Sequence, residues 1–535
     1  MSLAINVLKE KWGLSPAAEA VVEKLLEAWD KGHTALQLGA ADMKALKGCL
    51  AVGKGDDPGK PTPLVQTQGG LLQSWRFHCA ESRVAARLRS LAVDKDIKGA
   101  PDLKPAFKAL FPEDNAQAKA ASLGLKSRLT LITGGPGTGK TRTAARLLAL
   151  LALQQPSLRI ALAAPTGKAA QRLGQEVGEA ALGLPLEAAS AKQALQDAGR
   201  RFITLHSLLG WLPSLDHCRR NRQRPLTADL VLVDEASMID VMLWDALLEA
   251  LPEQASLVLL GDFRQLESVE PGRVLGVLVE GAAKGRSLAG RHVELDINYR
   301  FKDSPAIAQL AGAVMAQDAK AFLKAAPTAA GSAVQRFGSR QQDQALDLVW
   351  PQVEALAKAV EPVEALQALA GLRILCALNQ GPWGVAGLNQ RVEKRLAKQG
   401  LAQLCSPVRI TVNDPHTGLF NGDLGLLLPG PKGRQAVFGR ASEPRVLSAL
   451  NLPEHELAWA MTVHRSQGSE YQSVLLVLPP LNAEGEAQKL LRPELLYTAV
   501  TRARSRVVLA ADEAVLSAAC VAGESRVTGL GSLLG

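Results

Sequence analysis

Leu131-Ile132-Thr133-Gly134-Gly135-Pro136-Gly137-Thr138-Gly139-Lys140-Thr141 is the stretch that decides the fold. Leu129, Leu131 and Ile132 read as the end of a buried strand, and Gly134 to Thr141 fits the pattern G-x-x-x-x-G-K-[ST]. From Thr143 to Leu153 the apolar residues Ala144, Leu147, Leu148 and Leu151 return on one stripe of a helix. Strand, glycine loop and helix in this order form the context of a phosphate-binding loop. The glycines let backbone N–H groups turn inward around phosphate oxygens, and the helix N-terminus adds its partial positive charge. Lys140 is expected to reach the β- and γ-phosphates, and the Thr141 hydroxyl to ligate Mg²⁺. Gly134, Gly135, Pro136, Gly137, Thr138, Gly139 and Arg142 complete the expected cradle for ATP.

At 535 residues the chain exceeds one hydrophobic core, so about two to four domains are expected. Hydrophobic content of 47% and charged content of 21% are those of a folded globular protein. The net charge of +9, from 61 basic and 52 acidic residues, mildly favours a polyanionic partner. The six cysteines lie far apart and none forms C-x-x-C, which argues against a zinc site, an iron–sulfur cluster or a disulfide framework. There is no basic-then-apolar leader, and no run approaches ~18 uninterrupted apolar residues. The expectation is a cytoplasmic protein without a membrane partner.

Further signals follow the loop in order. Leu230-Val-Leu-Val-Asp234-Glu235 is an apolar strand ending in an acidic pair. Beside a phosphate loop, Asp234 is expected to hold Mg²⁺ and Glu235 to orient and deprotonate the attacking water. Ser256 to Leu266 is another strand, ending in Gly261-Asp262 and Gln265. The Gln265 amide can distinguish ATP from ADP. Pro165, Thr166 and Lys168 lie where a strand's carboxyl end meets a helix, the ligand edge of an open α/β sheet. They read as contacts to nucleic-acid phosphates or as a plain turn. The basic, turn-rich piece after His206, near 208–228, is a projecting hairpin or a solvated loop. In the second half, Asn379 and Trp383 follow a strand. Trp383 is either a base-stacking residue or core. No second G-K-[ST] loop occurs, so one nucleotide site is expected. No acidic cluster of nuclease type stands out.

The ordered set GGPGTGKT (134–141), APTGKAA (164–170), VDEAS (233–237), GDFRQL (261–266), NYRF (298–301), TVHRSQGSE (462–470) and YTAVTRAR (497–504) resembles superfamily 1 helicases of the 5′→3′ branch. Within that branch it is most similar to the RecD-type subunits of exodeoxyribonuclease V, and stretches 32–38 and 71–81 resemble their N-terminal region more loosely. The resemblance implies an α/β fold of two RecA-like P-loop NTPase domains with ATP and Mg²⁺ between them. It implies Arg300 and Arg502 acting on the γ-phosphate, and Gln117 near the adenine; by residue type alone Gln117 is equally a surface amide. Thr462, His464 and Ser466 join Pro165, Thr166, Lys168, His206, Asn379 and Trp383 as the expected single-strand track. Arg465 stands where the family usually has Lys.

The implied partners are single- and double-stranded DNA ends and RecB-like and RecC-like subunits of a heterotrimer. The expected activity is that of an ATP-dependent 5′→3′ DNA helicase, with a free-standing helicase and a structural subunit with incidental ATPase as alternatives. Residues 1–112 are expected to be a small helical docking domain, because a helix at 71–91 carries two apolar stripes. Residues 113–295 are expected to form the first RecA-like domain. The second, 296–535, is expected to carry a small SH3-like β-barrel insert near 408–458, where short β-like runs alternate with Gly and Pro.

Overall fold

The computed structural model describes residues 2–55, 61–95, 101–183, 188–212, 217–329, 331–402, 404–414, 416–431, 433–481, 490–521, 523 and 525–535. Its centre is a six-stranded parallel sheet. The strand order is His292–Leu295, Leu129–Gly134, Ser256–Gly261, Leu230–Val233, Ile160–Ala164 and Ile203–Thr204. Both faces are covered, so the strands are apolar throughout rather than alternating. Leu129 and Leu131 enter one core with Val231, Val233, Leu257 and Leu259. Ile132 enters the opposite core with Leu230, Leu232, Val258 and Leu260. The helix Lys140–Gln154 packs on that second face through Ala144, Leu147, Leu148 and Leu151.

The second sheet is also parallel, five-stranded, in the order Val334–Phe337, Ala503–Ala510, Tyr471–Val477, Leu372–Cys376 and Ala460–Thr462. Between two of its strands the chain builds an antiparallel sheet from Ser406–Ile410, Leu424–Gly430, Gly433–Arg440, Glu443–Ser448 and His455–Leu457. This sheet has its own small core of Val408, Ile410, Leu419, Ala436 and Phe438. It lies where the β-insert is expected. Its outer strands, Glu443–Ser448 and His455–Leu457, do not pair with each other among the described residues, so strand pairing leaves the sheet open. In the first domain Trp211–Leu212 pairs antiparallel with His217–Cys218. Residues 213–216, within the stretch read as hairpin or loop, lie outside the described residues.

The N-terminal region differs from the all-helical expectation. Helices Pro16–Asp30 and Trp75–Leu91 stand beside a four-stranded sheet ordered Ala35–Gln37, Leu71–Ser74, Leu64–Gln66, Val52–Lys54. Strands of three or four residues are too short to announce themselves by alternation, which is why 71–74 reads as part of the helix. The long helix begins only at Trp75, where the Ser74 hydroxyl caps it by accepting from Phe77 N at 3.2 Å. Leu72 therefore sits on a strand, in the N-terminal core. The remaining stripe of Ala80, Val84, Leu88 and Leu91 shares one core with Trp244, Leu247 and Leu248 of helix Val241–Ala250. The first parallel-sheet domain thus covers this stripe.

The C-terminal tail leaves the second domain and returns to the first. Val527 O accepts from Thr34 N at 3.0 Å and Ala35 N at 3.3 Å. The fully buried Glu81 carboxylate accepts from Thr34 Oγ1 at 2.5 Å, from Gln73 Nε2 at 2.7 Å and from Thr528 Oγ1. Arg526 pairs with Glu267 at 3.0 Å and donates to Gly272 O at 2.9 Å. Leu530 and Leu534 complete the same core as Trp244. This strap joins three pieces of chain distant in sequence, and 525–535 packs with the first domain rather than the second. No helix among the described residues is long and apolar enough to cross a membrane.

Candidate nucleotide and nucleic-acid site

The phosphate loop closes the carboxyl end of strand Leu129–Gly134. Gly137 and Gly139 take φ of 83° and 85°, a region costly for any residue with a Cβ. The Thr138 hydroxyl donates to Gly135 O at 2.8 Å, and Lys140 Nζ donates to Gly134 O at 2.7 Å and Gly135 O at 3.2 Å. The ammonium thus stands across the mouth of the loop. Beside it opens a cavity of about 480 Å³, and Gln117, Pro136, Gly137, Gly139, Lys140, Thr141, Arg142, Asp234, Glu235, Gln265, Arg300 and Arg502 all line it. Gly134, Gly135 and Thr138 form the loop behind. Residues far apart in sequence are brought to one cleft because parallel strands end on the same edge of the sheet.

Thr141 Oγ1 donates to Asp234 Oδ2 at 3.1 Å, and Asp234 Oδ1 accepts from Glu235 N at 2.8 Å. A hydroxyl and a carboxylate beside a phosphate loop are the hard oxygen donors that suit Mg²⁺. Glu235 adopts φ of 52° at the end of its strand, and such left-handed backbone in a residue other than glycine clusters at functional sites. Burial, and then the neighbouring Asp234, raise the Glu235 carboxyl above the usual range, against the pull of Lys140 and Arg502. A raised carboxyl suits a general base.

The second domain contributes the other wall. Arg502 is 3% exposed. Its guanidinium donates to Gln265 Oε1 at 2.9 Å, Ser469 O at 3.2 Å and Thr498 O at 3.2 Å. Gln265 Nε2 in turn donates to Asp262 Oδ2 at 3.1 Å. Arg300 lies against Gly137, held there by Tyr299 N donating to Gly137 O at 3.1 Å and by Asn298 Nδ2 donating to Pro136 O at 2.8 Å. Gln117 Nε2 donates to Thr138 O at 3.2 Å, which places the amide on the loop rather than on an open surface.

Four residues of the site escape a residue-by-residue reading. Glu470 and Arg172 line the cavity and pair at 2.9 Å. Asn298 fixes the loop at Pro136. The Tyr497 hydroxyl bonds the buried Asp262; burial and then Asp262 raise the phenol, and burial raises the Asp262 carboxyl. Three of them fall inside the quoted motifs, so the signal was present, but the roles come only from pairing across the two domains.

The expected nucleic-acid residues divide. Lys168 is exposed and donates to Ser469 Oγ at 2.9 Å, linking the two domains above the cleft. Thr166 caps the helix Gly167–Leu182 by accepting from Ala169 N at 3.3 Å, with Pro165 just before it. Phe420 of the antiparallel insert stands over Gly167. Asn379 and His206 are exposed, and His206 meets the Trp211 ring edge-on at 5.9 Å. His464 is half-buried. Burial and then Arg526 lower its imidazole. Ser466 and Thr462 turn inward. Ser466 is fully buried and donates to Val463 O at 2.7 Å, and Thr462 accepts from Arg465 N at 3.4 Å. Trp383 is partly buried and packs against a core cluster of the second domain. Arg465 pairs with Glu456 of the insert at 2.7 Å.

An AAA domain profile matches residues 117–271, and a UvrD-like helicase C-terminal domain profile matches 457–510. The chain is 39% identical to the RecBCD enzyme subunit RecD of Mycolicibacterium smegmatis, over 88% of this chain and 83% of that one. It is 33% identical to the protein of the same name from Haemophilus influenzae, over 89% and 82%. It is 31% identical to the ATP-dependent RecD2 DNA helicase of Deinococcus radiodurans, over 80% of this chain and 53% of that one.

Proposed function

Because this chain belongs to the RecD family of superfamily 1 helicases, we propose that its cleft hydrolyses ATP to move single-stranded DNA, as the helicase subunit of a RecBCD-type helicase–nuclease complex. The observation that carries this reading is the bond from Arg502 to Gln265, made across the cleft opposite Lys140, Asp234 and Glu235.

Lys140 and the loop amides bind the β- and γ-phosphates. Thr141 and Asp234 hold Mg²⁺, which when bound neutralises charge on the phosphates. Glu235 orients the attacking water and takes its proton. Arg300 and Arg502 stabilise the charge of the transferring phosphoryl group, a task worth ~10³–10⁵ in rate in well-studied NTPases. Gln117 sits beside the loop to meet the adenine. Because Arg502 belongs to the second domain, hydrolysis requires the two domains to be together, and each cycle opens and closes the cleft.

Single-stranded DNA crosses both domains past Pro165, Thr166, Lys168, His206, Asn379 and His464. The five-stranded insert is an SH3-like module standing over this track through Phe420. Polarity is 5′→3′, as in the branch the chain resembles, and the RecB-like and RecC-like partners meet the N-terminal region. Since helix Trp75–Leu91 is buried against the motor, the docking surface is elsewhere on that region.

The test is ATP hydrolysis by the whole chain with and without oligo-dT, together with unwinding of duplexes bearing a 5′ or a 3′ tail. DNA-stimulated hydrolysis that Lys140→Gln abolishes, and preference for the 5′ tail, are expected. Absence of DNA stimulation defeats the reading. Gel filtration of the chain alone, combined with the unwinding assay, separates a complex-bound subunit from a free-standing helicase.

A further inference from the structure

The segment Thr462 to Glu470 runs from the buried Thr462, past the half-buried His464 and the exposed Arg465, into the nucleotide cleft. Along it Gln467 Nε2 donates to Leu266 O at 2.8 Å, next to Gln265. Ser469 accepts from Lys168 through its hydroxyl at 2.9 Å and from Arg502 through its carbonyl at 3.2 Å. Glu470 ends the segment. Its Oε1 accepts from Arg172 at 2.9 Å and from Arg300, and its Oε2 accepts from Arg504 at 3.0 Å. The Glu470 side chain is 13% exposed and that of Arg300 11%, so solvent screens this pair little.

Two consequences follow from charge alone. Arg172, Arg300 and Arg504 converge on one anion, which burial would render neutral but which the guanidiniums of Arg300 and Arg172 hold ionised, at about 2. The same anion fixes where Arg300 points. Its other bond is to Thr501 O, at 3.2 Å. A phosphate oxygen and a carboxylate oxygen are equivalent acceptors for a guanidinium fork. The substrate's γ-phosphate can engage Arg300 only in competition with Glu470, and Glu470 ends the segment whose half-buried His464 and exposed Arg465 reach the surface.

We propose that Glu470 is a positioning residue that couples DNA to hydrolysis: it retains Arg300 and Arg172 until DNA shifts the segment Thr462–Ser469, and then yields Arg300 to the γ-phosphate. The proposal rests on the helicase reading of the same cleft.

The experiment measures ATP hydrolysis by the whole chain with and without saturating oligo-dT, for wild type, Glu470→Gln and Glu470→Asp. Glu470→Gln raises the DNA-independent rate roughly tenfold, as loss of a competitor worth ~1.4 kcal/mol would. The DNA-saturated rate stays within about threefold, so the stimulation ratio falls. Glu470→Asp keeps the charge and recovers part of the ratio. A DNA-independent rate at or below wild type in Glu470→Gln, or parallel loss of both rates, overturns the proposal. Should Glu470→Gln not fold, Arg172→Gln tests the same competition with the opposite sign. Glu470 then holds Arg300 more firmly, and the DNA-independent rate falls below wild type while the stimulation ratio rises. No change in that ratio overturns the proposal. Wild-type chain without DNA-stimulated hydrolysis defeats the helicase reading itself. Normal stimulation with an indifferent residue 470 defeats only the coupling role.

Discussion

Arg502 donates to Gln265 Oε1 at 2.9 Å, a bond between the two parallel-sheet domains at the floor of the nucleotide cleft. The amide's other end is spent on Asp262, at 3.1 Å, so Gln265 cannot turn without losing both partners. A sensor placed this way transmits phosphate state to the second domain through a hydrogen bond to a charged group, worth roughly 1.5–3 kcal/mol. Gln265→Ala is expected to bind ATP but lower DNA-stimulated hydrolysis on the order of 10²-fold, and Arg502→Ala on the order of 10³-fold or more. The double variant should lose no more than Arg502→Ala alone, since the two act as one unit. Rates that multiply independently in this cycle would refute the coupling.

Lys140 and Glu235 fail differently when altered. Lys140→Gln removes the charge that faces the β- and γ-phosphates, so both nucleotide affinity and turnover fall. Glu235→Gln leaves the binding groups in place and removes only the base, so ATP binds and turnover becomes very slow. Fluorescent-nucleotide binding beside steady-state hydrolysis separates the two. Near-wild-type hydrolysis in either variant would remove that residue from the site.

The first domain's wall of the candidate site is legible in sequence because each of its residues follows on a strand end. Lys140, Thr141, Asp234, Glu235 and Gln265 are placed once the strands are. Glu470, Asn298 and Tyr497 are not legible in the same way, since their partners Arg300, Pro136 and Asp262 belong to other stretches of the chain. The N-terminal sheet was hidden for a different reason: its strands, three or four residues long, carry too few positions to show a period. The C-terminal strap was hidden because Arg526, Val527 and Thr528 act through specific ion pairs and hydrogen bonds and not through a pattern.

That strap should matter to stability. Thr528 Oγ1 donates to the buried Glu81 carboxylate, which has Thr34 and Gln73 as its other donors. Thr528→Val keeps the shape and removes one donor to a buried charge, at a cost of roughly 1.5–3 kcal/mol. Thr528→Ser keeps the hydroxyl and should stay near wild type. Urea unfolding measures both. Equal stability of the valine variant and wild type would show that the tail does not hold the N-terminal region in place.

Lys168 and Trp383 should part company in DNA binding. Lys168 is exposed above the cleft, so Lys168→Ala should weaken oligo-dT binding and reduce the salt slope by about one counterion. Trp383 is partly buried against a core cluster of the second domain, so Trp383→Ala should lower stability and leave affinity for oligo-dT unchanged. A loss of ~1–3 kcal/mol in oligo-dT binding by Trp383→Ala would instead mark the indole as a base-stacking surface.

Glu470 gives a pH dependence of known sign. Burial alone would raise its carboxyl, but Arg300 and Arg172, with Arg504, hold it at about 2, below the ordinary 4.5. A carboxyl lowered on folding stabilises the folded state above its unfolded value, and that contribution is lost as pH falls toward the folded value. The shift corresponds to on the order of 3 kcal/mol at neutral pH, most of it gone by about pH 3. The difference in unfolding free energy between wild type and Glu470→Gln should therefore be flat above about pH 6 and shrink steadily in acid. Taking the difference cancels the carboxylates the two proteins share. Urea titrations across pH 3–7 measure it, and a difference that stays constant or grows on acidification would show that the three arginines do not stabilise the Glu470 carboxylate.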